Sequence, residues 1–249
     1  MIEVIVMTLS TQPRAKTATE GIRVRSGLPR LAAAAAAASA VLLPIQVGVF
    51  LVWPPPLDGT AADWFALLAD NRLAGMVDLD LLLVLDNVLL VPILLALFVV
   101  LRRLREPMML IATAAGFLGV IMFIAMNPAV QMVGFSEDYA AATSDAARAN
   151  AVAAGEAVLA NWQGTAFHVG YLLGSLAGIL IGVVMLGSSV FGRVTAWLAI
   201  LANTAGLGLY LPGVGVYVAV FSVLFLEIWY LLVSRALWRF ARDGVRPTA

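Results

Sequence analysis

The stretch LDLLLVLDNVLLVPILLALFVVLRRL, Leu79–Leu104, decides the class of this protein. It is apolar for about the 20 residues an α-helix needs to cross roughly 30 Å of hydrocarbon. Yet it holds Asp86 beside Asn87, with Pro92 further along. At about 1.5 Å per residue, Asp86 lies about 10–12 Å inside one end of such a helix. An ionised carboxylate at that depth is costly, so it must be neutral, paired or facing enclosed water. Asp80 and Asn87 are seven residues apart and share a helix face, whereas Asp86 points about 100° away. Pro92 leaves the Val88 carbonyl without its helical donor, which predicts a kink or a locally opened turn.

The rest of the chain agrees with this reading. Of its 249 residues, 62% are hydrophobic and 12% charged, and mean hydropathy is +0.98. Soluble domains carry about 25% charged residues, so a polar surface cannot cover this composition. The apolar runs are continuous rather than alternating, which favours helices over a β-barrel. The expected fold is an all-α, multi-pass membrane helix bundle with six transmembrane helices. They fall at roughly 31–53, 79–101, 108–126, 165–186, 190–210 and 213–234, within a transmembrane domain spanning 31–238. Residues 1–30 read as a flexible basic tail and 239–249 as a second tail. Ala38-Ser39-Ala40 faintly resembles a signal cleavage site, but apolarity continues to Trp53, as in an uncleaved anchor.

Lys and Arg mark the cytoplasmic side of membrane proteins. Arg14, Lys16, Arg23, Arg25 and Arg30 precede the first span. Arg102, Arg103 and Arg105 follow the second, Arg193 precedes the fifth, and Arg235, Arg239, Arg242 and Arg246 end the chain. Only Arg72 and Arg148 fall on the other side. Six spans with both termini in the cytoplasm of a bacterial plasma membrane satisfy every loop. The external segments are then 54–78 and 127–164. In the first, Thr60 and Asp63 outline a capping box that opens a short helix. Its Trp64 and Phe65 suit the headgroup level, or a lid over an external cavity. In the second, Ser136-Glu137-Asp138 reads as a helix start.

Several chemistries are excluded. There is no cysteine, hence no disulfide, thiolate nucleophile or Cys-ligated metal. A net charge of zero gives no field for nucleic acid, and nucleotide-binding and hydrolase motifs are lacking. No cofactor or metal is implied, and the expected partner is membrane lipid. The costly polar residues are Asp86, Asn87, His168, Asp80, Gln163, Asn203 and Glu227. Asp86 with His168 is the natural proton-titrating pair, since His titrates near neutral pH. Glu227 either continues a path from Asp86 or pairs with an arginine such as Arg193. The same residues also fit a purely structural role, bonding one another and freed carbonyls.

Gly170, Gly174, Gly178 and Gly182 recur every four residues in the fourth span. Such a stripe permits close helix approach, within the chain or across a homodimer. Leu79–Pro92, Met126-Asn127-Pro128-Ala129, Gln163-Gly164-Thr165-Ala166-Phe167 and Ile228-Trp229-Tyr230 together resemble a bacterial six-span membrane family known as a domain of unknown function. The resemblance implies a six-span plasma-membrane protein and carries no activity. The function favoured by the residues is handling of a small solute or ion, proton-linked, near Asp86 and His168. The alternative is a non-catalytic scaffold or accessory subunit; an intramembrane enzyme ranks below both.

Overall fold

A computed structural model describes residues 14–243 of the chain. Among the described residues there are ten α-helices and no strand. They are α1 (Arg14–Val52), α2 (Ala61–Asp70), α3 (Arg72–Asp78), α4 (Leu81–Leu101), α5 (Glu106–Met126), α6 (Ala129–Ala141), α7 (Asp145–Trp162), α8 (Thr165–Met185), α9 (Arg193–Gly206) and α10 (Gly215–Asp243). Five stretches are long and apolar enough to cross a membrane: Gly27–Val52 of α1, α4, the stretches containing α5 and α8, and Tyr217–Asp243 of α10.

The long helices close into a ring in chain order. α1 packs on α4, α4 on α5, α5 on α8, α8 on α9, α9 on α10, and α10 returns to α1. Their shared core includes Ala36, Ile93, Leu97, Met109, Ile181, Val233 and Leu237. At one end lie Arg102, Arg103, Arg193 and Arg235. At the other, α2, α3, α6 and α7 assemble into a cap with its own core of Trp64, Phe65, Leu68, Met132, Leu159 and Trp162.

The fifth expected span differs most from the sequence reading. α9 has only 14 residues and continues into a 3-10 turn, Leu207–Tyr210. At about 1.5 Å per residue α9 alone reaches about 21 Å, short of a bilayer core. With the 3-10 turn, however, it runs back along all of α8. Gly182 meets Ala196, Gly178 meets Asn203, Tyr171 donates to the Gly206 carbonyl at 2.9 Å, and His168 lies 3.2 Å from the Tyr210 hydroxyl.

The glycine stripe is taken up inside the chain. Gly170 faces Met122 of α5, Gly178 and Gly182 face α9, and Gly174 has open space before it. The expected tail over 1–30 is helical from Arg14 onward, because its Arg, Ala, Lys and Glu residues can extend the ladder of the span. Residues 1–13 lie outside the described residues. At the far end α10 runs past 238 to Asp243, and residues 244–249 lie outside the description. α4 continues unbroken through Pro92, with no opened turn.

The cap corrects two expectations. Trp64 and Phe65 are buried against α6 and α7 rather than left as an open aromatic face, because those helices give that face a protein partner. Ser136–Asp138 lies inside α6. That helix starts earlier, where the Asn127 side chain accepts from Ala129 N at 3.1 Å. The Thr60–Asp63 box does form, Asp63 accepting from the Thr60 amide at 2.7 Å. Glu156 of α7 accepts from Ala61 N at 2.7 Å, so α7 also caps α2. Arg72 is bridged to Glu137 at 2.7 Å, with both side chains 62% exposed. Arg72→Ala is therefore expected to cost at most about 1 kcal/mol in a denaturation series.

Candidate functional site

The ring forms a partly open cavity of about 260 Å³. α4, α5, α8, α9 and α10 all contribute to its wall. Glycines 116, 119, 170, 174, 178 and 206 line it; of these only Gly174 faces open space, the others lying against neighbouring atoms. Asp86, Asn87, Tyr171, Asn203, Trp229 and Tyr230 supply polar groups and aromatic rings.

Asp86 is 7% exposed. One carboxylate oxygen accepts from the Tyr230 hydroxyl at 3.1 Å; the other has no protein partner. Ser39 of α1 is fully buried beside this pair, its hydroxyl at the margin of hydrogen-bond reach of the Asp86 carboxylate and the Tyr230 phenol. Glu227, one helical turn before Tyr230, lies within electrostatic reach of Asp86 with one buried, unpartnered oxygen. Among the described residues Glu227 makes no salt bridge with Arg193. The Trp229 ring nitrogen is also buried without an acceptor. A carboxylate in this setting can bind a proton or a cation, because each removes the penalty of its unpaired oxygen.

No protein-family model, curated protein or solved structure matches the chain. The chemistry of the site therefore rests on its geometry.

That geometry separates the residues singled out from the sequence. Asp86, Asn87 and Asn203 meet at the cavity. Asn87 and Asn203 each donate to the carbonyl four residues back, at 2.9 and 2.8 Å. His168 is exposed, does not line the cavity and sits against Phe167 and Tyr210, so the Asp86–His168 pair does not form. Position explains this: His168 lies in the first turn of α8, whereas the cavity begins deeper, at Gly170. Gln163 is exposed at the end of α7. Asp80 belongs to a different cluster beneath the cap.

Asp80 precedes α4 with φ 66°, a left-handed conformation that Asp tolerates better than most residues. Its carboxylate accepts from the Trp162 ring nitrogen at 3.1 Å and so ties α4 to the end of α7. Asp78 is wholly buried, and neither of its oxygens has a partner. Gln46 of α1 donates to the neighbouring Val77 carbonyl at 2.8 Å, leaving its own buried oxygen unpaired. Burial pushes the Asp78 carboxyl up to about 6. It pushes Asp80 up to about 7, opposed by the Trp162 bond and reinforced by the Asp78 charge.

Tyr230, Trp229, Ser39, Gln46 and Asp78 escaped the sequence reading as site residues. Ser39 and Gln46 did carry a signal, as polar residues inside an apolar run. Tyr230 carried little, because a tyrosine near a helix end more often marks a membrane interface.

Proposed function

We propose that this chain is a multi-pass protein of a bacterial plasma membrane that handles a small solute or ion at the Asp86 cavity. One observation carries the reading: a carboxylate held on one oxygen by Tyr230, its other oxygen buried, belongs to the wall of a 260 Å³ cavity. Unpaired acids inside a bundle commonly mark ion or substrate paths. Glu227 supports a continuation toward the arginine end.

The proposal includes six crossings with both termini in the cytoplasm. α9 and its 3-10 turn supply the sixth, with a combined rise of about 29 Å. Clustering of the span-flanking arginines at one end of the ring supports this orientation. A reporter on the C-terminus should be active only in the cytoplasm.

The scaffold reading draws support from Asn87 and Asn203, which are bonded within their own helices. Flux separates the two readings. In proteoliposomes under an imposed potential, the wild-type chain should pass protons measurably above empty vesicles, and Asp86→Asn should lower that rate at least about tenfold. No flux, or an equal rate in the variant, would leave the scaffold.

A further inference from the structure

We infer that the cavity takes a small organic cation, an ammonium-bearing molecule, in preference to an anion, a neutral solute or a bare metal ion. This rests on the reading of the cavity as a ligand site, and it specifies the ligand's chemistry.

The charge of the wall is one-sided. Asp86 lines it, Glu227 stands within electrostatic reach, and no Lys, Arg or His lines it. An anion would meet uncompensated repulsion there, and a neutral solute would leave the Asp86 carboxylate without a counter-charge. A cation answers both.

The remaining wall selects among cations. Hard metal cations are held by several oxygen ligands, carboxylates above all, brought close together. Among the described residues no three acids or histidines form such a group, and most of the wall is glycine, leucine and aromatic carbon. The rings of Phe123, Tyr171, Trp229 and Tyr230 line it beside the carboxylate. Aromatic faces attract weakly hydrated ammonium groups. A carboxylate among rings is thus an arrangement suited to alkylammonium rather than to a hydrated ion. The volume also limits size, since ligand pockets commonly run about 300–1,000 Å³.

The test uses the full chain in detergent, with choline and tetramethylammonium as probes. The uncharged carbon isostere of choline, 3,3-dimethylbutan-1-ol, controls for shape, and sodium chloride controls for ionic strength. Choline at about a hundredfold excess over its Kd should raise the unfolding midpoint by about 5–10 °C, the shift growing with the logarithm of its concentration. The isostere and sodium chloride should not. Asp86→Asn should weaken choline binding at least about tenfold. Gly174→Val puts its side chain into open space at the cavity wall, and should abolish the shift while leaving the unliganded midpoint near wild type. It keeps the test decisive if Asp86→Asn fails to fold.

An equal shift from the isostere or from sodium chloride, no shift from either ammonium probe, or full binding by Gly174→Val overturns the inference. Choline binding without proton flux removes only the transport reading. Proton flux without choline binding removes only the ammonium assignment.

Discussion

Gly182→Leu is expected to abolish the folded protein, whereas Gly174→Ala should leave it intact. The two glycines stand eight residues apart on one stripe, yet meet different surroundings. A Cβ at Gly182 falls 2.7 Å from an Ile200 side-chain carbon, 2.9 Å from the Ala196 carbonyl oxygen and 3.1 Å from the Ala199 Cβ. Ile200 can turn aside; the Ala196 carbonyl belongs to the α9 backbone and cannot. Overpacking costs about 1–3 kcal/mol where side chains can give way. Forcing two backbones apart should exceed that, against a total stability of about 5–15 kcal/mol. Gly182→Ala should already lower the unfolding midpoint, and Gly182→Leu should fail to give a monodisperse peak on size exclusion. At Gly174 a Cβ meets nothing within 4 Å, and alanine gains about 1 kcal/mol of helix propensity. Equal tolerance at both positions would show that the α8–α9 contact is not built as described.

The second large effect is a loss of stability as pH rises. Asp78 and Asp80 have folded-state values of about 6 and about 7, both raised from 3.8. Between pH 4 and 7 the folded protein therefore holds more protons than the unfolded chain. Stability from these groups is complete below about pH 4 and is lost as pH climbs through 6 and 7. Each contributes a slope of up to about 1.4 kcal/mol per pH unit in its range. Asp80 is partly exposed, so solvent reduces its share. Together they should cost about 3 kcal/mol between pH 5 and 8, or about 6–12 °C in unfolding midpoint. Asp63 does not confuse the measurement: bonds from Thr60 hold its carboxyl below the ordinary value, outside this window. Asp78→Asn should flatten the profile and raise the midpoint at pH 8. A midpoint equal at pH 5 and 8 in the wild-type chain would contradict the burial assigned to both acids.

How legible these features were depends on the range of the interaction behind them. Apolar runs of span length set α4, α5 and α8 to within about two residues, because the cost of backbone polar groups in hydrocarbon acts locally. The run Val190–Ser234 divides close to where the expected spans end and restart, at 210 and 213, but the shortness of α9 was not legible in it. It is hydrophobic throughout, but Gly206, Gly208 and Pro212-Gly213 break it into a short helix, a 3-10 turn and a loop. The cap was half visible: the Thr60–Asp63 box is local, while burial of Trp64 needed α6 and α7 to exist. Asp86 announced itself as costly. Its partner did not, since nothing near residue 86 points to Tyr230. Asp78 looked like one more loop acid until Gln46 and the cap enclosed it.

The Asp86–Tyr230 bond joins residues 144 positions apart in the chain. If helices enter a bilayer in the order of synthesis, the acid arrives long before its phenol. At about 5–20 residues per second the interval is about 7–30 s. During it, only α1 and Ser39 stand ready beside the acid. Premature release into lipid in that interval is the biogenesis hazard peculiar to this ring, and truncations ending before α10 should be cleared by quality-control proteolysis faster than the full chain.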